Sequence, residues 1–230
     1  MLTERFRTIF RGPAGPPIPA SSGSPRGRGA VVASGQEIVT TRQSRGLEQF
    51  LYDIRDHVGL SILDLAGATQ ENINYITSLG HKIYTQDFIR SLDDTFAQDD
   101  ATEQANASRI DYFLRQNLEF PDETFDAVLV WDVLQYLSPA LLTATLDRLL
   151  RIVRPKSYLL AFFNADEKSG TAPCYTFRIQ NHSTLMITQR GSRKQVQVFN
   201  NRSLEKIFAR FESVKFFLTR ESLREVIVRR

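Results

Sequence analysis

Residues 61–70 read SILDLAGATQ. The apolar pair Ile62-Leu63 runs into Asp64 and then into a turn of small residues. That length and those flanks predict a short buried strand ending at the carboxylate. The next stretch, TQENINYITSLG, predicts a helix with Gly80 closing its C-cap. A second strand, KIYTQDF at 82–88, carries Asp87 near its end. Farther on, FDAVLVWDVL at 125–134 predicts a strand with DAVLVW as its core. Ser138-Pro139 then opens a helix, serine as N-cap and proline at the first helical position. That helix puts Leu142, Leu146, Leu149 and Leu150 on one face. It stops at Arg154-Pro155, because proline clashes with a continuing helix. SYLLAFFN is a further buried strand.

Outward from this core, SRGLEQFLYDIRDHV has a helical stripe at Leu47, Phe50, Leu51, Ile54 and Val58, with Ser44 as N-cap. RIDYFLRQNLEF is open between helix and strand. CYTFRIQN and STLMITQR predict an antiparallel hairpin over 174–190. RSLEKIFARF predicts an amphipathic helix, and VKFFLTRESLREVIVRR two strands around a turn. Alternating β and α units imply an α/β fold: a mostly parallel twisted sheet with helices on both faces. The C-terminal strand pair adds an antiparallel edge.

The chain has 230 residues and a net charge of +3. Residues 1–36 hold five Arg against one acid, Glu4, amid Gly, Pro, Ser and Ala. Such a segment buries too little apolar area to offset its ordering entropy, so residues 1–43 are expected to be a disordered basic tail before a domain at 44–230. Its Arg-rich, acid-poor start is either a weak organelle-transit signal or untargeted. Residues 190–230 hold 11 basic and 4 acidic side chains and 37–189 hold 13 and 21, so the basic end either offsets the acidic body or attracts an anionic partner. No run approaches the ~18 apolar residues of a membrane span, and no secretory h-region opens the chain. A cytoplasmic protein with no membrane partner is the expectation. The single cysteine, Cys174, allows no internal disulfide and is expected to be a buried thiol. His57, His81 and His182 show no metal spacing. No phosphate-cradling Gly-Lys-Ser/Thr loop is present.

Taken in order, SILDLAGATQ, KIYTQDF, FPDETFDAVLVWDVLQYLSP and LDRLLRIVRPKSYLLAFF resemble the class I S-adenosylmethionine (SAM)-dependent methyltransferases over roughly Leu47 to Phe163. The resemblance implies a Rossmann-like methyltransferase fold, SAM as cofactor and methyl transfer to an unidentified acceptor. Ile62, Leu63, Asp64 and Leu65 fit the family's first strand. The three glycine places of its Gly-x-Gly-x-Gly turn hold Ala66, Ala68 and Gln70, with Gly67 between them. Asp87 matches the second-strand acid, Phe125-Asp126 the opening of the fourth strand, and Arg151, Arg154 and Pro155 the approach to the fifth. The family's Gly-Gly after that proline is here Lys156-Ser157.

In open α/β sheets ligands sit beyond the carboxyl ends of the strands, where strand order reverses. Asp64, Asp87 and Trp131-Asp132 are expected at those ends. Asp87 would take the ribose hydroxyls, or else cap the next helix together with Phe88. Asp64 would contact the ligand, or only orient the first turn. Ala66 and Gly67 would let backbone approach the cofactor, provided the alanines keep negative φ. Asn117 is a candidate for the adenine amine, and Trp131 is ligand wall or core. Trp131 or Tyr136 could face adenine or the sulfonium. No catalytic base stands out; Asp132 and Tyr136 are the available side chains, and Asp132 is equally placed to cap VLQYL. Asp126 is expected to hold the turn before its strand. The hairpin at 174–190 is expected to cover the crevice. The competing reading is a non-catalytic module of the same fold that binds protein or nucleic acid through its basic C-terminal region, although the aromatic interleaving of a nucleic-acid platform is missing there.

Overall fold

The computed structural model describes residues 39–96, 102–166, 170–217 and 223–230. The tail expected over 1–43 lies outside the described residues up to 38. Its last five residues are not tail: Val39–Gln43 form strand β1. Helix α1 (Arg45–Ile54) follows, capped by Ser44, whose Oγ accepts from Leu47 N. Then come β2 (Ser61–Asp64), α2 (Gln70–Ser78), β3 (Lys82–Thr85) and α3 (Phe88–Thr95). The ambiguous stretch is helical: Asn106 caps α4 (Ala107–Leu118) through its side-chain oxygen. β4 (Phe125–Trp131), α5 (Pro139–Ile152) and β5 (Val153–Asn164) complete the parallel part. The hairpin β6 (Thr171–Ile179) and β7 (Thr184–Lys194) precedes α6 (Asn201–Ile207), β8 (Ser213–Phe217) and β9 (Leu223–Arg229).

Six strands form one sheet in the order β3-β2-β4-β5-β9-β8. β3, β2, β4 and β5 run parallel; β9 and β8 add antiparallel neighbours. The chain leaves β2 for β3 on one side and later returns to β4 on the other. The reversal of strand order therefore lies between β2 and β4, the place where an open sheet offers a crevice. A second sheet, β1-β7-β6, is wholly antiparallel. Asp126, expected to hold the turn before its strand, lies within β4 and instead ties neighbouring strands, accepting from Ser61 N of β2 and pairing with Arg154 of β5.

Successive residues of a strand face opposite sides, and the two cores divide accordingly. Val128 and Val130 pack with α3, α4, α5 and α6 through Phe88, Phe113, Leu149 and Leu204. Ala127, Leu129 and Trp131 pack with α1, α2 and the second sheet through Phe50, Ile76, Phe177 and Ile187. No helix among the described residues is long and apolar enough to cross a membrane.

One buried charge ties the amino-terminal elements to the sheet. Glu225 on β9 is fully buried. It accepts from Arg42 Nη2 at 3.0 Å, Ser44 Oγ at 3.1 Å and Gly46 N at 2.6 Å. Gly46 leaves the room this needs, since a Cβ there would meet Glu225 Oε2 and Leu160 Cδ1 at 3.0 Å. Removing one partner of a buried ion pair strands the other without compensation. Glu225→Ala is therefore expected to cost about 3–5 kcal/mol in urea unfolding. A double substitution of Arg42 and Glu225 by methionine should cost clearly less.

Candidate functional site

Backbone bonds stitch the loops after β2 and β3 together. Gln86 N donates to Asp64 O at 2.8 Å, Gly67 N to Gln86 O at 3.0 Å, and Phe88 N to Leu65 O at 3.2 Å. Ala66 and Asp87 form an isolated bridge. Gly67 has φ of +86°, and a Cβ there would sit 3.3 Å from the Asp87 side chain. Glycine is thus required at 67 for both conformation and space. Ala66 and Ala68 are absent from the positive-φ residues, which among non-glycines of the described part are Glu123, Trp131 and Lys156. Thr69 caps α2 and Gln70 begins it.

Asp64 is spent on the fold. Its Oδ1 accepts from Ala66 N at 2.9 Å and from Trp131 Nε1 at 2.8 Å. Its Oδ2 accepts from Asn72 Nδ2 at 3.2 Å. Asn72 in turn clamps the hairpin: Nδ2 donates to Phe177 O at 3.1 Å and Oδ1 accepts from Ile179 N at 2.8 Å. Burial pushes the Asp64 carboxyl up to about 6, against the lowering effect of the Ala66, Trp131 and Asn72 bonds. Trp131 is fully buried at a φ of +56° and stacks on Phe177, centroids 5.1 Å apart and planes 5° from parallel.

Beside this plug a cavity of about 540 Å³ opens beyond the strand ends. Ala66 and Asp87 form one wall, Asp132 and Tyr136 another, and the hairpin covers it with Cys174, Thr176 and Arg193. Asp87 caps α3, its Oδ1 accepting from Arg90 N at 3.1 Å, and lines the cavity at the same time. Asp132 does not cap the following turn. Its Oδ2 accepts from Tyr175 N at 3.3 Å and contacts Tyr136 Oη at 2.7 Å. Burial raises the Asp132 carboxyl to about 6, opposed by its bonds to Tyr136, Tyr175 and its own amide and by the charge of Arg193. Arg193 on β7 pairs with Asp93 on α3, fastening the hairpin across the opening.

Of the predicted cofactor residues, Ala66 and Asp87 meet at the cavity, and Gly67 supports Asp87 from behind. Asp64 lies at the expected strand end but faces inward. Three others are elsewhere. Phe88 is core, edge-on to Phe113 at 4.8 Å. Asn117, expected as a partner for the adenine amine, is buried in the last turn of α4, with Nδ2 donating to Phe113 O at 2.8 Å, and does not line the cavity. Trp131 is core rather than ligand wall, held by Asp64 and Phe177. Cys174 is half-buried and lines the cavity instead of being enclosed. Arg193, Asp93 and Asn72 carry no local pattern that would single them out; only tertiary contact gives them a role. Among the described residues no group of three or more His, Cys, Asp or Glu is placed to hold a metal ion.

Residues 63–161 match the family model described as methyltransferase domain. No curated protein matches the chain. Among solved structures, 1,6-didemethyltoxoflavin-N1-methyltransferase of Burkholderia thailandensis, with bound S-adenosylhomocysteine, aligns at TM-score 0.46 and 10% identity, over 81% of this chain and 77% of that one. PH0226 protein of Pyrococcus horikoshii aligns at 0.48 and 11%, over 80% and 88%. A SAM-dependent methyltransferase of Archaeoglobus fulgidus aligns at 0.47 and 13%, over 80% and 91%.

Two outcomes are expected. Asp64→Asn puts an amide donor against Asn72 Nδ2 or against the Ala66 and Trp131 donors, and should lose about 1–3 kcal/mol in denaturant unfolding. Asp132→Asn mimics the protonated acid. Because the folded Asp132 pKa of about 6 stands above its ordinary 3.8, the wild type loses stability as pH rises through that interval. The variant should therefore gain on the wild type by on the order of 2–3 kcal/mol between acid and neutral pH. Paired thermal melts across that range measure the difference.

Proposed function

We propose that this chain, class I methyltransferase-like in its sheet and in residues 63–161, is a SAM-dependent methyltransferase acting on an unidentified acceptor. The observation that carries the reading is the cavity of about 540 Å³ at the strand-order reversal, with Ala66 and Asp87 on its wall. SAM supplies a methyl group made electrophilic by its sulfonium. The residues present fit such a group. Asp87 offers a carboxylate to a vicinal diol from the end of β3, and the Ala66-Gly67 backbone lies beside it. Three acids (Asp87, Asp93, Asp132) and three arginines (Arg90, Arg190, Arg193) line the cavity, so attraction for a cation would come from local carboxylates and not from net charge. The protein's contribution is orientation and exclusion of water, since the electrophile is already reactive.

A second reading is favoured by a different observation. Trp131 and Phe177 fill the space next to Asp64, and alanines replace two turn glycines. A non-catalytic module of this fold would need no more than the remaining cavity.

Calorimetry with SAM and S-adenosylhomocysteine separates the two. Micromolar binding, weakened at least ~10-fold or about 1.4 kcal/mol by Asp87→Ala, is the expected result. Failure of both compounds to bind would leave only the non-catalytic reading.

A further inference from the structure

Tyr136 Oη has four polar neighbours: the Cys174 thiol and three nitrogen or oxygen groups. Gln135 Nε2 donates to it at 2.9 Å, while Asp132 Oδ2 and Pro173 O lie 2.7 and 2.8 Å away. A phenol has one proton to give, and a carbonyl can only accept. If that proton goes to an ionised Asp132, the close approach of Pro173 O sets oxygen against oxygen with no hydrogen between. If it goes to Pro173 O, the contact with Asp132 needs a proton on the carboxyl. All three contacts are hydrogen bonds at once only when Asp132 is the acid: Gln135 and Asp132 donate to Oη, and Oη donates to Pro173 O.

The surroundings agree. Asp132 is faced by Tyr136 from its own turn, by Cys174 on β6, and by Arg193 on β7, which Asp93 of α3 partly neutralises. Burial and the neighbouring Asp132 drive the Tyr136 phenol far up, and burial raises the Cys174 thiol. Arg193 is also raised, on balance, by its partners Asp93, Cys174 and Tyr136 against the effect of burial. Of these groups, Asp132 is the one left to change charge near neutral pH.

We propose that Asp132, paired with Tyr136, is the proton acceptor of the transfer step and that its ionisation follows the charge of the cofactor. The inference rests on the SAM reading given above. With a sulfonium cation in the cavity Asp132 is ionised; once the cation has become a neutral thioether, the carboxyl regains the proton affinity it has in the free protein. In the step between, the acceptor's heteroatom forms the bond to the methyl carbon. The sulfur–carbon bond breaks with its electron pair left on sulfur, and the acceptor's proton ends on Asp132. The cavity's net charge is the same before and after, which avoids separating charge in a poorly solvated site. The acceptor class follows: a neutral molecule with an O–H, N–H or S–H nucleophile, in preference to a carboxylate.

The test needs no acceptor. Carbon-13 NMR of the full chain follows the Asp132 carboxyl, assigned by its loss in Asp132→Asn. Calorimetry of SAM and of S-adenosylhomocysteine near pH 6, in buffers of different ionisation enthalpy, counts protons exchanged on binding. The carboxyl should titrate near 6 in the free protein. SAM should release about half a proton per site at that midpoint, and S-adenosylhomocysteine none. The difference should vanish in Asp132→Asn. An Asp132 midpoint in the ordinary aspartate range overturns the proposal. So does equal proton release by the two compounds, or a difference that survives the substitution. If neither compound binds, the cofactor reading falls and the charge coupling with it, while the carboxyl titration still decides whether Asp132 keeps its proton. The wild-type measurements stand even if the variant does not fold.

Discussion

A buried carboxylate with three donors organises the end of the sheet. Asp64 draws the first turn back through Ala66 N, holds β4's terminal side chain through Trp131 Nε1, and reaches α2 through Asn72. Asn72 passes the constraint to the hairpin by two bonds to its backbone. Burying an ionised carboxylate is costly unless its lone pairs are matched by donors. Here the match is good but incomplete, because desolvation still outweighs the bonds and lifts the group to about 6. Trp131 shares the cost by holding a left-handed φ, a conformation that needs its surroundings to enforce it. The indole bond to Asp64 and the flat stack on Phe177 supply that enforcement.

That arrangement keeps Asp64 off the cavity, whose wall carries Asp87 and Asp132 instead. It also decides what the hairpin is. A removable cover would expose polar surface beneath it, but Phe177 is fully buried against Trp131 and Phe162. The inner half of the hairpin is therefore core, and β1 extends it by pairing with β7. The outer half, from Cys174 and Thr176 across to Arg193, covers the cavity. One hairpin thus closes two spaces with different chemistry: an aromatic stack on one side and a polar chamber on the other.

Local chemistry made much of this fold legible. Ser44 and Ser138 announced helix starts because a hydroxyl beside unsatisfied amides has one strong use. DAVLVW announced a strand because both of its faces are covered. What stayed hidden depends on contacts between distant residues. Val39–Gln43 is exposed at four of its five positions and acquires its strand conformation from β7, so its composition gave no warning. RIDYFLRQNLEF has apolar residues compatible with both periods, and the Asn106 cap that decides for a helix lies just before it. Asn117 fell with that ambiguity, since a change of period moves a side chain to another face. Asp87 was legible for a different reason: its place follows from β2 and β3 pairing in parallel register, and that register follows from the strands themselves.

The two raised carboxyls also differ in kind. Asp64 faces three donors that cannot take a proton away, so its charge serves the fold and has no path to a reacting molecule. Asp132 faces a phenol, an amide and a cavity, and its environment offers consistent hydrogen bonding when it holds a proton. Burial raises both carboxyls to about 6, but their partners differ. Donor bonds alone favour the ionised form of a carboxylate, and at Asp64 burial outweighs them. A carboxylate that shares an oxygen with a group able both to give and to accept can change state without breaking its network. By that criterion the exchangeable proton we propose belongs to the β4 end, at Asp132 and Tyr136, while Asp64 at the β2 end holds the turn, Trp131 and α2 in place.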